Sequence, residues 1–183
     1  PYMTYVVGLQ VPPGTVPRAL LWDTEDPYHY VRLQWVAGTA GGPPHEVLIV
    51  GGEDHKEGQA DDGARRFEAL EQWTRERFPG AGPVVERWSG MVLESMDGLA
   101  FIGPDPEGGA NVYVATGDSG MGMTHGTIAG MLLRDLVLGR ANPWADLYDP
   151  RRKPVLAARD FLRENLNVRV QYASWIAPGE VKS

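Results

Sequence analysis

The sequence predicts an α+β fold in which an antiparallel or mixed sheet is followed by a strand, a glycine-rich loop and a helix. Three observations lead to this prediction. The first fifty residues hold short β-rich segments separated by proline and glycine turns. Residues 61–78 then change to a helical period. Residues 111–138 pass from a β-rich segment through a glycine-rich loop into an apolar helix.

The sheet is predicted from four segments of the first fifty-two residues: MTYVVGLQV, RALLWDT, YHYVRLQWV and HEVLIVGG. Prolines in VPPGTVP separate the first two, because proline disrupts a strand ladder. Alternation in the third segment places two sets of side chains on opposite faces, Tyr28, Tyr30 and Arg32 against His29, Val31 and Leu33. The fourth segment is apolar enough for a buried strand, which is expected to stop at its two final glycines.

One amphipathic helix is predicted over Asp61–Phe78, where apolar side chains recur at helical spacing after two aspartates that favour the helix dipole. Strands are predicted within residues 82–95, 99–103 and 111–117. A second helix is predicted over Thr124–Leu138 and is closed by a glycine. A short helix and an extended tail complete the prediction.

Charge and composition exclude several classes of function. The net charge of −7 argues against nucleic acid as a partner, because phosphate binding requires a basic surface. Residues 151–153 are basic but lie beside acidic residues, so a solvated turn is expected there. No apolar run is long enough to span a membrane, and no signal peptide is visible. The absence of cysteine excludes disulfides and thiol catalysis and fits a cytoplasmic protein.

The loop GDSGMGMTHGT leaves two interpretations open after two others fail. It matches the glycine spacing of a P-loop, but Met123 stands where that loop needs lysine. It lacks the third glycine of the dinucleotide fingerprint, since residue 125 is histidine. Either the amides at the helix start bind an electron-rich ligand, or the glycines at 122, 126 and 130 only permit close packing.

An ordered set of residues spans the second half of the chain: a Trp-x-Gly element, an Asp-Gly-Leu turn, an Ile-Gly pair and glycines around the last long helix. In order they are Trp88, Gly90, Asp97, Gly98, Leu99, Ile102, Gly103, Gly117, Gly122, Gly130 and Gly139. This order resembles the C-terminal flavin-binding segment of FAD-dependent oxidoreductases of the D-amino acid oxidase and glycine oxidase superfamily. The preceding strands are similar to the substrate-binding domain of that superfamily, and the likeness extends to about residue 165.

The resemblance implies FAD as cofactor and an oxidation of a small amine or related substrate by hydride transfer to the flavin. It assigns the contacts with the flavin ring to the backbone amides of Gly120, Met121, Gly122, Met123 and Thr124. Family members that oxidise amino acids carry an arginine for the substrate carboxylate where this chain has Val92, so a simple α-amino acid is not the expected substrate. The usual histidine after the first glycine of the loop is Asp118, for which a helix N-cap role is expected.

The resemblance also implies that the chain is a fragment of a two-domain flavoprotein. Residues 1–88 correspond to the substrate-binding sheet and helix, 89–140 to the C-terminal part of the FAD-binding domain, and 141–183 to a C-terminal helix and tail. The expected partners are the N-terminal FAD-binding half, a small-molecule substrate and a downstream Rieske module, whose subfamily has a similar tail. The fragment alone is expected to bind FAD weakly and to be inactive.

No catalytic residue and no metal site are predicted. The four histidines, with Glu53 and Asp54, lack the spacing of metal ligands, so surface or turn roles are expected. For His125, one position past the loop, a polar residue of the first helical turn is favoured over a group facing a flavin. Arg32 either projects into a substrate cavity or is an exposed cross-strand charge. The alternative function is a non-catalytic α+β interaction domain in which the glycine-rich helix serves packing only.

Overall fold

A computed structural model of the chain describes residues 1–38 and 43–153. Its elements in chain order are β1 (Tyr2–Val11), β2 (Leu21–Trp22), β3 (Tyr30–Val36), β4 (His45–Lys56), α1 (Gly63–Arg77), β5 (Val84–Val92), β6 (Phe101–Pro104), β7 (Tyr113–Thr116), α2 (Gly122–Val137) and α3 (Ala145–Tyr148). The predicted α+β class with an antiparallel sheet is confirmed. The chain forms two compact units, Pro1–Val92 and one beginning at Leu93.

The first unit is a five-stranded antiparallel sheet in the order β2-β3-β4-β1-β5, with α1 on one face. Alternate residues of the central strands form a core with the apolar side of α1. Its buried members are Tyr5, Val7, Leu9, Val11, Val16, Val31, Leu48, Val50 and Leu70. The opposite face of the sheet, here called the open face, carries no helix from the described residues of this unit.

Strand β4 does not stop at its two glycines, as the sequence predicted, but continues to Lys56 through a bulge. Met3 pairs with His55 and Tyr5 pairs with Gly52, so two residues of β4 face one residue of β1. Gly52 has a φ of 151°, and an added Cβ would lie 2.7 Å from the Tyr28 carbonyl oxygen. Glycine therefore permits the bulge here and does not end the strand.

Helix α1 confirms the predicted helix to within two residues at its start and one at its end. Asp62 stands at the N-cap position, but its side chain caps no amide. Instead its carboxylate accepts a hydrogen bond from Arg66 Nε at 2.7 Å, and the adjacent guanidinium lowers the pKa of Asp62. The helix start is thus stabilised by an ion pair within its first turn.

The second unit packs a two-stranded antiparallel sheet, β6 and β7, against α2 and α3. Its buried core consists of Ala100, Ile102, Ala129, Leu132 and Tyr148. Among the described residues, no helix has the length and apolar character needed to cross a membrane. The predicted C-terminal tail, and the part of the short helix beyond Lys153, lie outside the described residues.

Candidate functional site

The loop between β7 and α2 is held in one conformation by left-handed backbone and by hydrogen bonds to a neighbouring segment. Gly117, Ser119 and Gly120 have φ angles of 70°, 51° and 76°, a region that glycine adopts freely and serine rarely. The Ser119 amide donates to the Leu93 carbonyl at 3.0 Å. The Ser95 amide donates to Ser119 Oγ at 3.2 Å. The loop is therefore preformed at the entrance to α2.

His125 anchors this loop from inside the unit. Its Nδ1 lies 3.0 Å from the Asp118 carbonyl oxygen, and because a carbonyl only accepts, Nδ1 carries the proton. The His125 amide donates to the Met121 carbonyl at 2.9 Å, and the ring packs edge-on against Tyr148. His125 is thus a polar residue of the first turn of α2, as favoured, but its side chain is buried and the imidazole fills the space between the loop and α3.

Asp118 does not cap α2 with its side chain. The helix begins with Met121 at the N-cap position and no side-chain hydrogen bond to an amide of the first turn. The Asp118 carbonyl instead accepts from the Met121 amide at 2.9 Å and from the His125 ring. The predicted N-cap is therefore wrong, and Asp118 contributes through its main chain.

The first turn of α2 presents three amides, those of Gly122, Met123 and Thr124, which have no acceptor among the described residues. Amides of a first helical turn lack partners within the helix, and the helix dipole gives them a partial positive charge. Met121 and Met123 beside them are 61% and 90% exposed. The turn is chemically suited to an electron-rich group of a ligand.

The glycines along α2 are not explained by packing within the unit. A Cβ added to Gly126 or Gly130 would meet no described atom within 4 Å. At Gly122 it would meet only the Asp118 carboxylate, at 2.8 Å. Described residues therefore provide no partner for the glycine stripe, and the helix keeps a smooth, open side next to its free amides.

Arg152 fastens the Asp-Gly-Leu turn that precedes β6. Its guanidinium makes two hydrogen bonds of 2.9 Å with the Asp97 carboxylate and donates to the Leu99 and Ala100 carbonyls at 2.6 and 2.9 Å. It also lies 3.9 Å from the centre of the Phe101 ring. These hydrogen bonds from Arg152 lower the pKa of Asp97. The prediction of a solvated turn at 151–153 is wrong for Arg152, which is a structural anchor.

The open face of the first unit's sheet is largely apolar around one tyrosine. Val6, Val47 and Ile49 form a buried cluster against which Tyr30 packs. The Tyr30 ring lies across Gly51 so closely that an added Cβ there would overlap it. The predicted alternation of residues 28–36 is confirmed for Tyr30, Val31 and Arg32: Val31 is buried in the helix-side core and Arg32 is exposed.

His29 lies in the connection between β2 and β3 and is buried on the opposite side of the sheet, so a surface role is wrong for it. Its Nδ1 donates to Asp23 at 2.9 Å, and its ring stacks on Trp73 at 4.3 Å. Burial raises the pKa of Asp23, but hydrogen bonds from His29 and from the Glu25 amide outweigh it, so the pKa is lowered. Asp23, Glu25 and His29 bring possible metal ligands within 4.8 Å of one another, yet Asp23 and His29 are already committed to each other.

Comparison with known proteins decides the family. The family described as FAD dependent oxidoreductase matches residues 1–136. The chain belongs to this family. FAD is therefore the cofactor that membership of this family implies. The match covers the first unit and the second unit as far as residue 136, including the loop and the first turn of α2, and it confirms the resemblance to this family.

Two similar proteins show what share of their own length this chain matches. YhfW of Bacillus subtilis (strain 168), a protein named for a Rieske 2Fe-2S iron-sulfur centre, is 30% identical over 149 residues, which are 81% of this chain and 28% of that protein. The crystal structure of iminodiacetate oxidase (IdaA) from Chelativorans sp. BNC1 matches with a TM-score of 0.59 and 20% identity, over 82% of this chain and 39% of that one. The chain thus spans well under half the length of either protein.

Three features of the structure were not predicted from the sequence. The Arg152 anchor was hidden because its partners lie more than fifty residues earlier. The inward orientation of His125 follows from its position four residues before buried Ala129, which indicates the helix side. The bulge at Gly52 was signalled by two adjacent glycines followed by further polar strand residues.

Proposed function

We propose that this chain supplies the substrate-side sheet and the C-terminal flavin-contacting segment of an enzyme that oxidises a small amine or related compound. Bound FAD supplies the hydride acceptor. In this proposal residues 1–88 form the substrate-binding part and residues 89–140 the flavin-contacting part. The observation that carries the proposal is the first turn of α2, with three unpartnered amides beside an open glycine side.

We assign the contact with the flavin ring to the backbone of Gly120, Met121, Gly122, Met123 and Thr124. Negative charge develops at the pyrimidine end of a flavin when it is reduced, and amides aimed at that end stabilise it. Amides need no lysine for this purpose, which accounts for Met123 at the position of the P-loop lysine. The fixed loop conformation supports the assignment, because preorganised donors lose little entropy on binding.

The open face of the sheet is the proposed substrate side. Its apolar cluster, with Tyr30 and the exposed Arg32 nearby, suits a small organic molecule with one polar group. Val92 stands where a carboxylate-binding arginine is expected, and a valine offers no hydrogen bond to a carboxylate. An amine without an α-carboxylate, or one whose carboxylate binds elsewhere, is therefore the proposed substrate class.

Two partners belong to the proposal. The first is an N-terminal half that binds the ADP part of FAD, since this sequence contains no Gly-x-Gly-x-x-Gly element for that purpose. The second is a Rieske module, suggested by the name of the B. subtilis relative. Such a module needs cysteine and histidine ligands, and the 183 residues contain no cysteine, so the cluster would belong to another segment.

The test compares the full-length protein with the 183-residue chain, each titrated with FAD. We expect the full-length protein to bind FAD stoichiometrically, to show flavin absorbance, and to bleach when a substrate amine is added without oxygen. The chain alone should bind FAD weakly, because the ADP-binding half is absent. A full-length protein that stays colourless and shows no FAD-dependent thermal shift would overturn the proposal.

A further inference from the structure

The connection between β2 and β3 places one imidazole among three carboxylates. His29 Nδ1 lies 2.9 Å from Asp23 Oδ2 and 3.8 Å from Glu25 Oε2. On the other side of the ring, Nε2 lies 3.7 Å from Glu53 Oε1. The His29 side chain is only 4% exposed. Carboxylates gathered around one buried ring repel one another unless a positive charge, either a proton or a metal ion, lies among them.

Each of the two carboxylates near Nδ1 has one oxygen held by hydrogen bonds and the other turned toward the ring. Asp23 Oδ1 accepts from the His29 amide at 2.8 Å and from the Glu25 amide at 3.3 Å, whereas Oδ2 faces Nδ1. Glu25 Oε1 accepts from the Arg77 guanidinium at 3.0 Å, whereas Oε2 faces Nδ1. Hydrogen bonds of this kind orient the ligands of a metal ion.

The second nitrogen of His29 points to an ion in place of a simple hydrogen bond. Nε2 is buried and has no hydrogen-bond partner among the described residues. If Nδ1 carries the proton and donates to Asp23, the Nε2 lone pair faces the Glu53 carboxylate, and two acceptors are left without a donor. If an ion takes the Nδ1 lone pair, Nε2 carries the ring proton and donates it to Glu53. One ion therefore gives both ring nitrogens a partner, in the carboxylate–histidine–metal arrangement common in proteins.

The distances suit a small tetrahedral ion. Ligands about 2.0–2.2 Å from such an ion lie about 3.3–3.6 Å from one another. The separations of 2.9 and 3.8 Å from Nδ1 lie on either side of this range, and the ion would replace the hydrogen bond between Asp23 and His29. Trp73 of α1 holds the ring by stacking on it with 4.3 Å between centroids, so the central ligand loses little entropy on binding.

We propose that Asp23, Glu25 and His29 Nδ1 bind a divalent transition-metal ion, with Zn²⁺ as the expected occupant and Glu53 as the acceptor of the Nε2 proton. One imidazole nitrogen with two carboxylate oxygens suits Zn²⁺ better than Mg²⁺ or Ca²⁺, which prefer oxygen ligands alone. The Glu25 side chain is 53% exposed, so the ion enters from solvent and takes a water as its fourth ligand. The ion is structural: it fastens the connection between β2 and β3 and takes no part in the oxidation.

The first experiment titrates Zn²⁺ into the 183-residue chain, prepared without an affinity tag and freed of metal by a chelator, and repeats the titration with the full-length protein. Calorimetry of the chain should show one site. Glu25→Gln removes the exposed ligand and should weaken binding by about tenfold or more. Glu76→Gln is the matched control, because Glu76 is also an exposed neighbour of Arg77 but contributes no ligand. Both side chains are more than half exposed, so both variants should fold.

The second experiment determines which His29 nitrogen carries the proton, by 15N spectroscopy of the histidine rings at pH 7, with His29 assigned through its contact with Trp73. We expect the proton on Nδ1 in the metal-free chain and on Nε2 after one equivalent of Zn²⁺. A ring that carries protons on both nitrogens and does not change with Zn²⁺ would show that a proton alone neutralises the carboxylates, and the proposal would be wrong. Absence of Zn²⁺ binding, or equal Zn²⁺ affinity in Glu25→Gln and Glu76→Gln, would also contradict it.

Discussion

At the scale of single residues, the side chain of Arg152 stabilises the second unit. Arg152 joins a carboxylate, two carbonyls and an aromatic ring at once, with its side chain only 11% exposed. A planar guanidinium can satisfy all of these partners together, whereas lysine cannot. The neighbouring Arg151 pairs with Asp149 at the surface. Arg152 is therefore expected to contribute more to stability than its neighbour Arg151.

We expect Arg152→Ala to destabilise the second unit by about 2–3 kcal/mol, because it leaves Asp97 and two carbonyls without their donor. Arg151→Ala should change stability little, since an exposed pair contributes little. Denaturant unfolding measures the stability of each variant, and hydrogen exchange of the β6 amides reports the change within the second unit. Equal stability of the two variants would contradict the anchor role of Arg152.

Asp97 makes this anchor sensitive to acid. Its pKa in the folded chain lies below the ordinary value of 3.8 because Arg152 hydrogen-bonds the charged form. Its contribution is therefore complete above pH 3.8 and is lost as the pH falls through the lowered pKa. The stability difference between the unmodified chain and Asp97→Asn should shrink as the pH falls from 6 to 2. A difference that is constant over this range would show that the pair does not contribute.

At the scale of elements, helix α2 contains glycines, which are poor helix formers, directly after the loop that leads to its free amides. Glycine in a helix interior costs about 0.5–1 kcal/mol relative to alanine, and nothing in the described unit occupies the space beside Gly126. A flat ligand or another part of the protein that approaches the helix beside Gly126 would explain why glycine is retained despite this cost.

We expect Gly126→Ala to raise the stability of the isolated chain by about 0.5–1 kcal/mol and to weaken FAD binding by the full-length protein. Thr127→Ala, one residue further along the exposed helix, is the control and should not weaken FAD binding. Thermal unfolding and FAD titration give the two values. Stabilisation without any effect on FAD binding would indicate that the glycine stripe serves another contact.

Strands and helices were predictable because their apolar periods are local. Helix α2 begins two residues before the predicted Thr124 and ends one residue before the predicted Leu138. The β4 bulge was not predicted: its two adjacent glycines are visible in the sequence, but its geometry also depends on Tyr28 and Arg66 from other elements. His29 was misplaced for a similar reason: it is buried against Trp73 of α1, which the sequence does not bring near it.

At the scale of the molecule, the chain contains two compact units, each with its own sheet and core. The order of residues from Trp88 to Gly139 was sufficient to predict the family, which the match over residues 1–136 shows. The side chains around the site were less predictable. Tyr30 over Gly51, and Asp54 on its bulge, are products of strand register, which residue types alone do not determine.

The central claim is that the amides at the start of α2 stabilise the reduced flavin. The most direct measurement is the flavin reduction potential of the full-length protein carrying Met123→Pro, compared with Met123→Leu. Proline is tolerated in the first helical turn and removes one free amide, whereas leucine changes only the side chain. The account predicts a more negative potential and about tenfold weaker FAD binding for Met123→Pro alone. Equal potentials in the two variants would contradict it.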